Sequence, residues 1–166
     1  MKNKLFLFSF FAAILFVLTA CPYQSQVPIN EPNKKVDEKV LGKWVKNSDL
    51  DNENPEYFSI SALDKYKYNI VKFEYQSSDS TYKETKYITH FTYIKDYVFM
   101  NMQKDGEGDF YMHRLDMKGD EFMLYEITDN IDEKFTSSEE FEKFVEKYMH
   151  LSFFYNKDEV KYVRSK

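Results

Sequence analysis

Two acidic runs have residue types and a spacing that could bind a metal ion. Asp105, Glu107 and Asp109 alternate with glycines, which is the spacing at which calcium-binding loops collect oxygen ligands. Such a loop needs a glycine at its sixth position, where this chain has Phe110. A second run, over residues 49–53, shows the same alternation without a bidentate partner in place. We therefore expect two solvated loop tips and no metal site.

The residues that most often act in acid–base or nucleophilic catalysis are few and scattered. The three histidines, His90, His113 and His150, lie far apart and lack a paired spacing such as His-Glu-x-x-His. No Gly-x-Ser-x-Gly segment is present, and four glycines leave no Gly-rich phosphate loop. His90 and His113 fall within predicted strands, where we expect hydrogen-bonded structural histidines. We therefore expect no catalytic residue, no cofactor and no enzymatic activity.

Cys21 carries the one specific chemical prediction. It is the only cysteine, and it follows an apolar run over residues 5–20 that is preceded by Lys2 and Lys4. The segment Leu18-Thr19-Ala20-Cys21 resembles the lipobox of bacterial lipoproteins. That resemblance implies that a signal peptide of residues 1–20 is removed before Cys21 and that the thiol then carries a diacylglycerol.

The length of the apolar run agrees with a signal peptide. It falls short of the roughly 20 residues that a free-standing transmembrane helix needs, and Pro22 and a polar stretch follow it. An ordinary signal peptide with a chance cysteine and an uncleaved membrane helix remain the alternatives. The resemblance to lipoproteins implies a lipid-anchored protein of the bacterial cell envelope. In lipoprotein families where an aspartate after the lipidated cysteine retains the protein at the inner membrane, the proline found here after Cys21 implies the outer membrane, if the cell has two membranes.

The charge balance limits the partners of the chain. The formal net charge is -5, and removal of residues 1–20 would leave 28 acidic against 21 basic residues. Nucleic acid demands a basic face, so we expect no nucleic-acid partner. Electrostatic docking on anionic lipid is disfavoured for the same reason. We expect the membrane contact to come from the acyl chains on Cys21 alone.

The chain divides into three parts. After the signal peptide, residues 21–37 hold three of the four prolines among polar residues, which predicts an extended, flexible, lipid-anchored tether. We expect it to hold the domain off the lipid headgroups. Residues 38–166 are long enough for one hydrophobic core and form a single β-rich globular domain. With Cys21 acylated no thiol remains, so this domain has no disulfide.

Alternation of apolar and polar residues with a period of two predicts strands over most of this domain. The predicted strands cover residues 42–45, 58–62, 65–75, 86–94, 97–103, 110–117 and 122–127, followed by 151–155 and 160–163. Mostly short links between them imply an antiparallel meander. Within residues 65–75 the apolar positions change phase at Ile70 and Val71, which suggests a bulge or a strand that leaves one layer for another.

One amphipathic helix interrupts the strand pattern near the C-terminus. Ser137 and Glu140 fit a capping box at its start. Apolar residues then recur at helical spacing on one face, and we expect them to be the most buried in this region: Phe141, Phe144, Val145 and Tyr148. The expected fold class is mainly β, an antiparallel meander that forms a barrel or a strongly curved sheet, with this helix packed against it.

Gly42 and Trp44 form a Gly-x-Trp motif on the first predicted strand. With the run of up-and-down strands, the late helix and the closing strand, this pattern is similar to the lipocalin-like barrels. In that family a basic residue near the end of the barrel packs over the tryptophan. The resemblance implies this structural role for Trp44 and for Arg164, or for Arg114, the only other arginine. It also implies carriage of a small apolar ligand.

The leading functional hypothesis is a non-catalytic binding or assembly module tethered to a bacterial membrane, with an envelope protein as a possible partner. A lipocalin-like barrel that carries a small apolar ligand is the first alternative. An inhibitor or accessory subunit of an envelope enzyme, acting through an exposed loop, is the second.

Overall fold

Eight strands joined in chain order close into an antiparallel barrel. The computed structural model describes residues 23–128, 130–156 and 159–165. In chain order the strands are β1 (Gln24–Ser25), which lies outside the ring, and the barrel strands β2 (Gly42–Lys46), β3 (Tyr57–Ala62), β4 (Tyr68–Gln76), β5 (Thr81–Ile94), β6 (Tyr97–Lys104), β7 (Phe110–Lys118), β8 (Glu121–Glu126) and β9 (Val160–Arg164). Each barrel strand pairs with the next, and β9 pairs with β2, which closes the ring. The expected antiparallel meander is confirmed, and it forms a closed barrel.

The two ends of the barrel differ. At the closed end, β2 begins at Gly42, β9 ends at Arg164, and a short 3-10 helix (Glu38–Val40) precedes β2. At the open end, β2 ends at Lys46 and β8 ends at Glu126. Strand residues point alternately inward and outward, so each strand contributes every second side chain to the interior.

The inward side chains near the closed end fill the barrel. Trp44 has no exposed surface and lies 4.7 Å from Phe122 between ring centroids. Tyr68 and Phe91 stack at 4.5 Å. The buried members of this core come from all eight barrel strands and include Trp44, Phe58, Ile60, Tyr68, Ile70, Phe91, Met100, Met102, Leu115, Phe122, Leu124 and Tyr162. These side chains therefore pack together in the interior, and a second depression of about 600 Å³ lies beside them, lined by Val40, Phe91, Leu115 and Met117 among others.

The bulge suggested at Ile70 and Val71 is absent from the described strand β4. Its register with β3 runs without a break from Tyr57 opposite Phe73 to Ala62 opposite Tyr68, and its register with β5 is also continuous. The apolar residues change phase because the interior itself changes along β4. Beyond Ile70 the inward positions are charged and face a cavity, while the outward positions carry rings that stack on the barrel wall.

The one long helix among the described residues, α1 (Ser138–Tyr148), packs on the outside of the barrel. Ser137 caps its start, because the Ser137 Oγ accepts a hydrogen bond from the backbone N–H of Glu140 at 3.3 Å. Phe141 and Val145 are completely buried, as expected. Phe144 and Tyr148 are only partly buried, whereas Met149, just beyond the helix, is buried. The expectation that Phe144 and Tyr148 would be among the most buried residues here was therefore wrong.

The strand predicted over residues 151–155 is wrong. A 3-10 helix, Ser152–Phe154, occupies this stretch, and only Tyr155 makes a β-bridge, to Ile127. The apolar residues do not alternate between two faces of a sheet, because the Phe154 ring packs with Tyr155 and with the helix residue Phe144. The final predicted strand is present as β9.

Part of the stretch expected to be a flexible tether, residues 23–30, is docked on the barrel. Residues 23–30, which we call the N-terminal clasp, lie along the outer wall of the barrel. Within the clasp, β1 pairs with Tyr111 and Phe110 of β7, and Ile29 is completely buried. The backbone N–H of Ile29 donates to Asn101 Oδ1 at 2.7 Å. Pro28 and its polar neighbours therefore belong to a docked segment, and the partners of this segment lie far away in sequence.

Candidate functional site

Trp44 and Arg164 meet at the closed end of the barrel. The guanidinium of Arg164 lies over the Trp44 ring, 4.2 Å from its centroid. Arg164 Nη1 donates to Leu41 O at 2.7 Å, and Nη2 donates to a carbonyl of the 3-10 helix Glu38–Val40. Trp44 Nε1 donates to Val40 O at 2.8 Å. These contacts fix the 3-10 helix across the end of the barrel, so they serve closure rather than ligand binding.

Gly42 has a physical reason to be glycine. Its φ is +123°, in the region that side chains rarely adopt, and a Cβ there would lie 3.0 Å from Arg164 Nη1. Glycine tolerates such a conformation without a steric penalty. In the Gly-x-Trp motif, the glycine therefore leaves room for the guanidinium of Arg164. That guanidinium covers the ring of the tryptophan two residues later.

Arg114 has a different role. Its guanidinium lies 4.5 Å from the Tyr125 ring centroid and 4.9 Å from that of Tyr97, on the outer wall. Arg114 Nε also donates to Asp116 Oδ1 at 2.9 Å. Of the two arginines considered for the tryptophan, Arg164 is the one that packs over it.

The predicted lipidation site cannot be placed in the fold. The signal peptide, the lipobox and Cys21 lie outside the described residues. In the described part of the chain, no helix is long and apolar enough to cross a lipid bilayer.

The open end of the barrel holds a cavity of about 890 Å³. Phe58, Met102 and Leu124 belong to its lining and also to the buried core, so they form an apolar floor. Its walls carry charged and polar groups, among them Lys46, Glu56, Lys72, Glu74, His113 and Glu126. The cavity therefore combines an apolar base with a charged upper wall.

Glu56 is the centre of the charged wall. Its carboxylate lies 3.2 Å from Lys46 Nζ and 3.4 Å from Lys72 Nζ. The Tyr162 hydroxyl donates to the same carboxylate at 2.9 Å. Lys72 Nζ also lies 2.9 Å from Glu74 Oε1. The side chain of Glu56 is only 16% exposed, whereas Lys46, Lys72 and Glu74 are 25–34% exposed, so the central carboxylate is shielded while its partners still meet water.

The network holds its groups in defined protonation states. Burial by itself would lower the pKa of Lys72, but hydrogen bonds and the negative charges of Glu74 and Glu56 outweigh it, so the pKa is raised. Burial, and then the charge of Glu56, raise the pKa of the Tyr162 hydroxyl. At neutral pH Lys72 is therefore charged and Tyr162 is a neutral hydrogen-bond donor.

His113 faces the cavity from β7. It differs from the residues around Glu56 in that its pKa favours the neutral form and one of its ring nitrogens has no hydrogen-bond partner among the described residues. Burial lowers its pKa to about 4, and the positive charge of Lys72 acts in the same direction. Its Nε2 lies 4.0 Å from Glu126 Oε1, and its buried Nδ1 has no hydrogen-bond partner among the described residues. His113 is thus a neutral imidazole with unused hydrogen-bonding capacity, and not the satisfied structural histidine that we expected.

His90 does have the expected structural role. Its Nε2 donates to Asn30 O at 2.6 Å, so it holds the N-terminal clasp. Burial lowers its pKa, which favours the neutral form. His150, in contrast, lies at an exposed position.

The two acidic runs do not converge on an ion site. Glu107 pairs with Lys104 and accepts a hydrogen bond from the Tyr111 hydroxyl at 2.7 Å. Asp49 Oδ2 accepts a hydrogen bond from the backbone N–H of Glu56 at 3.1 Å, which fixes the loop between β2 and β3. Over residues 23–128, 130–156 and 159–165, no group of three or more histidine and acidic side chains could hold a metal ion.

The charged residues of the cavity were missed at the level of sequence. A usable signal existed in β4, where Lys72 and Glu74 continue the inward series of Tyr68 and Ile70. Because Tyr68 and Ile70 point inward, the same alternation directs Lys72 and Glu74 inward as well. Two charged side chains that point into a barrel indicate that its interior is open and polar at that level. Glu56 offered no such signal, because it precedes β3 in a polar loop.

Comparison with protein-family models, with curated proteins and with solved structures gives no match for this chain.

Proposed function

We propose that this chain is a lipid-anchored protein of the bacterial cell envelope that acts as a non-catalytic binding module through the open end of its barrel. The observation that carries the proposal is the cavity of about 890 Å³ with an apolar floor and a charged wall. This size lies in the range of sites that bind small molecules, about 300–1,000 Å³.

The arrangement of the charges supports binding rather than catalysis. Glu56 is engaged by Lys46, Lys72 and the Tyr162 hydroxyl at once. Groups that are tied to each other in this way are fixed recognition elements, since a ligand meets them already oriented. The His113 side chain also lines the cavity and is 20% exposed, so its neutral imidazole adds a polar group to the wall.

The lining also bears on the chemistry of the ligand. Side chains such as Trp44, Tyr68 and Phe91 fill the barrel towards its closed end. A ligand would therefore occupy the open end, next to the charged residues. A purely apolar ligand there would remove charged groups from water without replacing their hydrogen bonds, which is unfavourable. We therefore refine the proposed ligand to a small molecule with an apolar part for the floor and a polar part for the wall.

A protein partner is the second candidate. Tyr57 and Phe73 stack at 4.5 Å on the outer wall near the open end, and Tyr75 and Tyr82 extend this group of rings. All four are partly exposed. Aromatic residues are enriched at protein interfaces, so an envelope enzyme or assembly factor could bind here.

The anchor is tested at Cys21. Cys21→Ser should abolish incorporation of radiolabelled palmitate and should release the protein from membranes or leave it unprocessed. Alanine at the exposed Ser48 provides a matched control that should keep both the label and the membrane association. Unchanged membrane association without loss of label in the cysteine variant would end the lipoprotein hypothesis.

The binding site is tested by native mass spectrometry of protein purified from its own host. We expect a bound small molecule in the wild type and its loss in Lys72→Met, because that change removes the cation between Glu56 and Glu74. Lys143→Met is the matched control: Lys143 also pairs with a glutamate, Glu139, at 2.6 Å, but on the exposed face of α1. A co-purifying protein without a small molecule would favour the second candidate.

A further inference from the structure

The N-terminal clasp is an integral part of the barrel wall rather than a leader to it. The Tyr23 ring is buried next to Phe141 of α1, with 5.8 Å between the ring centroids, and its hydroxyl donates to Glu133 O at 2.9 Å. Six residues further on, Ile29 is completely buried. The clasp is therefore anchored near both of its ends.

The polar contacts of the clasp are buried as well. Asn101, on the outer face of β6, accepts from the backbone N–H of Ile29 and donates from Nδ2 to His90 O and to Thr92 Oγ1 at 3.3 and 3.0 Å. His90 in turn donates to Asn30 O. Asn101 has no exposed surface. Detachment of the clasp would break the hydrogen bonds that Asn101 Oδ1 and His90 Nε2 make to it, which is unfavourable.

Only Pro22 separates this docked segment from Cys21. Two residues of extended chain span at most about 7 Å, so the Cα of Cys21 cannot lie further than that from the Cα of Tyr23. An acyl chain on Cys21 must enter the bilayer close to this point. The tether expected from the sequence would instead have given the domain many residues of slack.

We propose that the barrel is held directly against the membrane, with the wall formed by the N-terminal clasp, residues 130–136 and the start of α1 facing the lipid headgroups. This inference rests on the proposed acylation of Cys21. The contacting partner is a lipid surface, and the acyl chains supply the attachment, since the net negative charge of the chain disfavours docking on anionic lipid.

The geometry of the barrel provides a position for comparison. β3 is four strands away from β7 in either direction around the ring of eight, so the two strands lie on opposite walls. Ser59 is exposed on the outer face of β3. Lys134 is exposed and directly follows Glu133, whose carbonyl binds Tyr23. Lys134 should therefore lie near the headgroups and Ser59 far from them.

Energy transfer to labelled lipids tests this orientation. The acylated protein carries Lys134→Cys or Ser59→Cys with a donor dye and is placed in phosphatidylcholine vesicles that contain a headgroup-labelled acceptor lipid. Acylated Cys21 cannot react with the dye, so each variant has one label. We expect several-fold stronger quenching at position 134 than at position 59.

A linker variant provides the control. A Gly/Ser insertion of about ten residues between Pro22 and Tyr23 has a root-mean-square length of about 16–19 Å and should remove the difference between the two positions while acylation is retained. Equal quenching at both positions in acylated protein without the linker would overturn the inference and leave the proposed anchor intact. Intact-mass measurement that shows no acyl chain on Cys21 would overturn both.

Discussion

Replacement of Gly42 by alanine places a methyl group in tight contact with the guanidinium of Arg164. Gly42 has a φ of +123°, and its added Cβ would be 3.0 Å from Arg164 Nη1. That nitrogen donates to Leu41 O at 2.7 Å, so the shift of a few tenths of an ångström that the methyl group requires would disturb this hydrogen bond. The substitution therefore combines backbone strain with disturbance of the closed end.

The expected magnitude follows from these two contributions. A non-glycine residue in a sparsely populated backbone region costs about 1–3 kcal/mol. Displacement of Arg164 weakens its contact with the Trp44 ring, and such contacts contribute about 0.5–2 kcal/mol. We expect Gly42→Ala to lower the free energy of unfolding by about 1.5–5 kcal/mol, a large part of the roughly 5–15 kcal/mol typical of a domain.

Urea unfolding followed by fluorescence measures this effect, because Trp44 is the only tryptophan. The protein is the form that starts at residue 21 and carries Cys21→Ser. Gly108→Ala is the matched control, since a Cβ there meets nothing within 4 Å, and it should change stability little. Arg164→Ala combined with Gly42→Ala should cost less than the sum of the single changes, because the crowded atom is gone. Equal stability of the Gly42 and Gly108 variants would refute the reasoning.

Two further predictions concern the packing of α1 and the cavity histidine. Phe141 has no exposed surface, so Phe141→Ala should lower the free energy of unfolding by about 3–5 kcal/mol, and Phe144→Ala, at a partly buried position, should lower it less. Thermal melts that leave both variants unchanged would show that α1 is not docked in this way. Burial lowers the pKa of His113 to about 4 from an ordinary value of 6.5, so between these pH values the unfolded state binds more protons and the free energy of unfolding should fall as the pH falls. His113→Gln should flatten this dependence in urea titrations at several pH values, whereas His150→Gln should not; identical slopes in both variants would contradict the assignment.

Local patterns were sufficient for most of the architecture. Residues such as Phe58 and Ile60 alternate with polar neighbours because β3 has one face in the core and one in solvent. The same reasoning located α1, since Phe141 and Val145 lie on one helical face and its first turn has a capping serine at Ser137. These features depend on neighbours within a few residues, so a single sequence contains them.

Contacts between distant residues were beyond this reasoning. Tyr23 and Ile29 are isolated apolar residues in a polar, proline-containing segment, and their burial depends on α1 and on Asn101. Residues 151–155 are rich in apolar side chains, but Phe154 packs with α1 instead of joining a strand. The network around Glu56 was missed for the same reason, because its members come from β2, β4, β9 and the loop before β3.

The occupancy of the open end, in protein purified from its own host, is the most direct test of the proposed binding function. A high-resolution structure of that material should show a bound molecule between Lys72 and His113, with its apolar part on Phe58 and Leu124. A cavity that holds only water, in material whose native mass spectrum also shows no bound small molecule, would contradict the proposal.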